Sequence, residues 1–189
     1  EIDNGIAVHV SEPDPHPQYV LPSDLPSIAI TYMTGVTSSL DGAYLLQSGA
    51  TLGNLENSVN ASGGTEDVPV LVGQWLRDAA FDEDGTLLET GSVFTIDYEA
   101  GDDLTDIRLE IGVRTVGAVY NVLTSQDFSI SMGRSVSTFD VTIPQTDYFI
   151  GDTSFVRIYV IKKEGAGAPK NLIIYMEGSY VTRVLTNIP

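Results

Sequence analysis

From residue 27 onward, apolar and polar side chains alternate along the chain with a period of two. Phe94, Ile96 and Tyr98 share one parity against Val93, Thr95 and Asp97, and Ile107, Leu109 and Ile111 share one against Arg108 and Glu110. This period places the two sets on opposite faces of an extended strand and predicts half-buried strands. Residues 155–161 are apolar on both parities apart from Arg157, and 172–176 read the same way, as strands covered on both faces do. Further strands are predicted at 28–33, 43–47, 68–72, 86–89, 128–132, 138–143 and 180–185. Turn-forming Gly, Asn and Asp separate them at roughly eight to twelve residues, the spacing of a sandwich or barrel. One helical turn is predicted at 74–81, where Trp75, Leu76, Ala79 and Ala80 fall at helical spacing. The expected fold class is all-β, an antiparallel β-sandwich of jelly-roll type occupying residues 27–189.

Residues 1–26 follow a different rule. Pro13, Pro15, Pro17, Pro22 and Pro26 remove backbone donors and fix φ, so neither a helix nor a central strand is expected there. The segment reads as an extended, polyproline-like neck or linker that is ordered only where it packs against something else.

Composition narrows the function. The 189 residues carry 26 Asp plus Glu against 9 Lys plus Arg, a formal charge of −17. Such a charge repels polyphosphate and anionic lipid, so neither nucleic-acid binding nor membrane insertion is expected. No apolar run approaches the ~18 residues of a spanning helix. With no cysteine, disulfides, thiolate metal sites and thiol catalysis are excluded. The first residue is Glu1 rather than Met, so a processed chain or part of a longer one is expected. Residues 1–104 contain Arg77 as their sole base, whereas acids and bases balance in 105–189. Many first-half acids are therefore expected in loops at the ends of the sandwich.

The neck contains His9-Val10-Ser11-Glu12-Pro13-Asp14-Pro15-His16-Pro17-Gln18-Tyr19. Within it, Asp14-Pro15-His16-Pro17-Gln18-Tyr19 resembles a motif recurrent in bacteriophage tail fibres and receptor-binding spikes. The sequence then runs Val20-Leu21-Pro22, where the family's usual continuation is Leu and polar helix formers. A direct step into a globular head is thus expected in place of a coiled coil. The resemblance implies a homotrimer located in the virion, with His9, Asp14, Pro15, His16, Pro17, Gln18 and Tyr19 near the threefold axis. For His9 and His16 two placements stand: on the axis, as stacked rings or shared ion ligands, or beside it as hydrogen-bonded structural histidines, the second being preferred. Tyr19 and Gln18 are read first as groups that lock the neck. The implied function is non-catalytic attachment of the virion to a host surface glycan or outer-membrane protein. Alternatives are a decoration or fibre-anchoring protein docking other virion proteins, and a glycan depolymerase.

No enzymatic activity is expected from the residues themselves. Both histidines lie in the neck, and the sequence contains no Walker loop, no histidine pair at i and i+4, and no dinucleotide fingerprint. Gly112 and Gly117 are explained by a bulge or close backbone approach. Among possible carboxylate pairs (Asp82, Asp84, Asp97, Glu99, Asp102, Asp103), the sequence singles out none. Asp82 with Asp84, and Asp102 with Asp103, are candidate calcium ligands, but Asp82-Glu83-Asp84-Gly85 does not match an EF-hand loop. Asp84-Gly85 is also a hairpin turn signal, the preferred reading, and no cofactor is otherwise implied. Trp75 is expected in the core rather than as a sugar platform, and the strand tyrosines suit a half-buried pleated surface. Receptor contacts are expected on the loops 57–67 and 165–171, through Asn57, Asn60, Ser62, Thr65, Lys170 and Asn171.

Overall fold

The computed structural model describes residues 29–48, 57–63, 68–77, 79–87, 89–103, 105–162, 167, 171–176 and 182–186. The neck motif from His9 to Tyr19, and with it the boundary at residue 26, lies outside the described residues, as do Thr65 and Lys170.

Thirteen strands make up the described structure: β1 (Ala29–Thr37), β2 (Tyr44–Gln47), β3 (Asn57–Ala61), β4 (Val70–Arg77), β5 (Gly85–Leu87), β6 (Thr90–Ala100), β7 (Thr105–Arg114), β8 (Tyr120–Ser129), β9 (Gly133–Ile143), β10 (Thr146–Tyr148), β11 (Thr153–Lys162), β12 (Leu172–Met176) and β13 (Arg183–Thr186). The expected all-β sandwich is the fold. Eleven strands are hydrogen-bonded in the order β3-β12-β6-β13-β1-β2-β4-β11-β7-β8, with β9 on the other edge of β6, and β10 pairs separately with β5. β12 and β13 share one edge of β6, at 97–100 and 93–95 respectively. The connected sheet folds over on itself, and the rings of Phe128 on β8 and Phe139 on β9 meet at 5.0 Å where its two layers close.

Alternation decides what lies between the layers. Phe94, Ile96, Tyr98 and Ala100 of β6 face Ile107, Leu109, Ile111 and Val113 of β7 across a single core, with Val156, Ile158 and Val160 of β11 and Ile174 of β12. β11 is apolar on both parities because it is central and covered twice. Its outward Phe155 joins Ala43 and Leu76 in a second small cluster beneath the β1–β2 turn, where Leu40 and Tyr120 also pack. Gly112 is where β8 bulges against β7, with Leu123 the extra residue between the partners of Ile111 and Gly112. A side chain there would collide with the Asn121 carbonyl oxygen and meet the Phe155 ring at 2.5 Å, so a close approach does explain this glycine.

Several expectations are corrected. Residues 74–77 belong to β4 and form no helical turn. Trp75 and Leu76 are both fully buried because they enter opposite clusters, one on each side of the strand. The helical spacing was therefore produced by two covered faces. The indole Nε1 donates to the Thr34 carbonyl oxygen at 3.1 Å, which satisfies Trp75 in the core. Asp84-Gly85 is no hairpin turn, since β5 pairs with β10, about sixty residues along the chain. Residues 57–61 are a strand rather than a loop: Val59 packs into the core while its polar neighbours border it, and β12 supplies the partner. The sheet is also not wholly antiparallel, because β2 and β4 pair in parallel.

Candidate binding surface

The pairing of β3 with β12 brings the two expected receptor loops together. Ala61 lies opposite Leu172, so the exposed Ser62 and Asn171 emerge side by side. Gly101 N–H donates to the Asn171 carbonyl oxygen at 2.8 Å, which attaches the acidic turn Gly101–Asp103 to the same end. Asn57, opposite Met176, lies at the far end of β3 from this group.

Cross-strand register then builds a platform on the outer face beside that end. Arg134, Glu99, Ile173 and Asn60 form one row across β9, β6, β12 and β3, and Val136, Asp97, Tyr175 and Ser58 form the next. Residues opposite one another share a face, so these eight side chains lie together. Tyr175 hydroxyl donates to Glu99 Oε2 at 2.6 Å, and the Arg134 guanidinium carbon stands 3.9 Å from the Tyr175 ring centroid. Arg134 Nε donates to Asp97 Oδ1 at 3.4 Å. The Asp97 side chain is only 5% exposed, and burial pushes its carboxyl above the usual aspartate range, with Arg134 offsetting part of the effect. Thr182 hydroxyl accepts from Asp97 N–H at 3.1 Å and donates to the Tyr175 carbonyl oxygen at 2.6 Å, fixing β6 to β12 underneath.

The outer face of the other layer carries a second network. Asp41, in the β1–β2 turn, accepts from Arg114 Nε at 2.6 Å and from Tyr120 hydroxyl at 2.7 Å. Gln74 Nε2 donates to Tyr120 hydroxyl at 2.9 Å, while its Oε1 accepts from Arg157 Nε at 2.6 Å. Arg157 also lies 4.4 Å from the Tyr120 ring centroid, and Tyr159 hydroxyl donates to Glu110 Oε2 at 3.1 Å. The hydrogen bond from Arg114, and then that from Tyr120, holds Asp41 below the usual carboxylate range. Tyr120 and Tyr159 are both raised, by burial first and then by the neighbouring carboxylates.

The candidate calcium residues fall at two ends of the molecule. Asp102, buried, accepts from Thr105 hydroxyl at 2.8 Å in the turn entering β7, beside exposed Asp103. Asp84 accepts from Ile150 N–H at 2.7 Å next to the loop entering β11, and Asp82 is exposed nearby in sequence. Thr105 and Arg114 are opposite ends of β7, and Arg114 pairs with Thr153 at the start of β11, so the two acidic groups are separated by the ~33 Å length of a ten-residue strand. Among the described residues, no group of three or more His, Asp and Glu side chains is placed to hold a metal ion.

Asp97 and Glu99 are the one carboxylate pair from the sequence that shares a face of a strand, roughly 7 Å apart by the strand rise. Asp97 is shut off from solvent and Glu99 is engaged by Tyr175, so both carboxylates are held within the network of this face. Sequence reasoning missed the Asp97–Arg134–Tyr175 and Asp41–Arg114–Tyr120 groups. The available signal was the outward parity of Asp97 and Glu99 on a strand whose other parity is entirely core.

No family model matches the sequence, and none of the curated proteins matches it. Solved structures do resemble the fold. A CocE/NonD family hydrolase from Staphylococcus aureus superimposes with a TM-score of 0.56 at 10% identity, covering 84% of this chain and 36% of that one. An aminopeptidase from a marine sediment Thaumarchaeota archaeon gives 0.57 at 9% identity, with the same coverages of 84% and 36%. An alpha-amino acid ester hydrolase gives 0.55 at 6%, again covering 84% and 36%. This chain therefore spans about a third of the length of these enzymes, and at such identities the likeness is one of fold.

Proposed function

We propose that the chain is the head and neck of a trimeric phage tail-fibre or spike component that attaches the virion to its host without catalysis. The observation that carries the reading is the Asp14-Pro15-His16-Pro17-Gln18-Tyr19 motif standing shortly ahead of a β-sandwich. The direction of the strands supports it. Ala29, where the described chain begins, pairs with Thr186, next to Leu185 opposite Val93, and so lies toward the Thr90 end of β6. Ser62, Asn171 and Gly101–Asp103 lie at the other end of β6. The chain thus enters on one side and presents its candidate receptor groups on the other, as a head on a neck requires. The ligand is a host surface glycan or an outer-membrane protein, met by Asn60, Ser62, Asn171 and the rim of Arg134 and Glu99.

The test is binding of labelled protein to a panel of bacterial strains. Saturable binding to some strains, weakened by Asn60→Ala with Asn171→Ala, is the expected result. Retention on phage particles with no cell binding would favour the anchoring or decoration role instead, and release of reducing sugar from surface polysaccharide would establish a depolymerase. Light scattering is expected to count three subunits; a monomer would contradict the neck.

A further inference from the structure

At the end of β7 away from the candidate receptor groups, the β7–β8 turn (residues 115–119) meets the loop entering β11 (residues 149–152). Four large apolar side chains there face solvent: Val116 is 72% exposed, Val119 56%, Phe149 58% and Ile150 62%. The loops that carry them are tied down. The buried Asp152 accepts from Val116 N–H at 3.2 Å through one carboxylate oxygen and from Phe149 N–H at 3.3 Å through the other. Asp84 fixes Ile150 N–H at 2.7 Å. Phe81 N–H donates to the Asp152 carbonyl oxygen at 2.8 Å, and Gly151 N–H donates to the Phe81 carbonyl oxygen at 2.9 Å. Val116 lies so close to Gly151 that a Cβ there would approach its Cγ2 to 2.5 Å, which joins the two loops into one tip.

Apolar side chains held outward on ordered loops make the centre of an interface, and docking onto them costs little further chain entropy. The rim decides the partner. Asp82, Glu83 and Asp84 are all exposed beside the tip. Of the arginines near this end, Arg114 is paired with Asp41, and Arg77 lines an interior pocket with Ser154 and Val156. Two copies meeting tip to tip would set these same acids against one another, and an anionic bilayer is repelled by the chain's net charge of −17. We propose that this tip docks a protein surface whose apolar pocket is bordered by lysine or arginine.

The probe is a synthetic peptide of leucine, phenylalanine and lysine, compared with its counterpart carrying glutamate for every lysine, each titrated into the ¹⁵N-labelled full chain. The lysine peptide is expected to shift the amides of Val116, Phe149 and Ile150. Its affinity should fall at least about tenfold in Phe149→Ser with Ile150→Ser, and similarly in Asp82→Lys with Glu83→Lys, which should gain affinity for the glutamate peptide. Both variants change exposed side chains, and melting curves matching the unmodified chain verify their folding. Equal binding of the two peptides, or affinity unchanged in the apolar variant, would overturn the proposal. So would shifts of these amides on concentrating the protein alone, or on adding phosphatidylglycerol vesicles in place of peptide. The result is independent of host attachment, which is read at the opposite end.

Discussion

Each layer of the sandwich carries an aspartate, an arginine and a tyrosine on its outer face, yet the two aspartates are shifted in opposite directions. Asp41 is 38% exposed and receives two short hydrogen bonds, so its charged form is favoured. Asp97 is 5% exposed and receives one long bond from Arg134, so desolvation outweighs the ion pair. The same three residue types thus give opposite protonation tendencies. What differs is the water left around the carboxylate and the quality of the donors, not the identity of the partners.

The largest perturbation of this comparison is Phe155→Ala, which removes the floor of the Asp41 site. Tyr120 packs edge-on against Phe155 with centroids 5.1 Å apart, and Leu76 and Ala43 share the cluster. A loss of about 3–5 kcal/mol in urea unfolding is expected, and Asp41 should return toward the ordinary carboxylate range as Tyr120 loosens. Tyr175→Ala acts on the other side and should cost about 2–3 kcal/mol. By uncovering Asp97 it should bring that carboxyl down toward the ordinary range, as read by an NMR titration of the side-chain carbon. A carboxyl that stays raised would mean that Tyr175 is not what keeps water away.

Asp97→Asn has a smaller effect with a defined sign. A folded-state value raised above the unfolded one favours the protonated folded protein. That contribution is complete below the ordinary aspartate value and is lost as pH rises through the raised one. The variant lacks this loss, so its stability relative to the parent should improve between mildly acidic and neutral pH. An unchanged difference across that window would show that Arg134 already compensates fully. Asp41→Asn should give the smallest change and the reverse trend: the contribution is present above the ordinary value and disappears as pH falls through the depressed one. Because the site is exposed, added salt should shrink the effect further.

Much of the architecture was legible in the alternation. β6, β7, β11 and β12 were read at nearly their observed positions because their core parity is uninterrupted over several residues. β8 was read only at its end. Apart from the half-buried Leu123, Tyr120 to Gln126 is polar or exposed on both parities, and its strand state comes from the ladder with β7. β3 reads as a loop for the same reason, since Val59 and the small Ala61 are its only apolar residues and β12 supplies the rest. Trp75 and Leu76 imitate a helix because β4 is covered on both faces there, so two successive residues are apolar and enter different clusters. The candidate receptor residues stand out in the sequence by polarity and loop position, which says nothing about neighbours. Only the β3–β12 register placed Ser62 beside Asn171 and set Asn57 apart from them.

The sequence by itself determined that this chain forms strands around an apolar core and leads into them through a proline-rich segment. Period-two alternation and proline's fixed φ act within a few residues and need no partner. Tertiary structure alone decided which strands pair, which charges meet and which apolar side chains stay in water. Arg134 is brought to Asp97, and Val116 to Gly151, by ladders between segments far apart in the chain, and local pattern cannot encode the partner of a hydrogen-bonded edge. Exposure follows from that same pairing, which is why two aspartates with similar neighbours came to hold their protons differently.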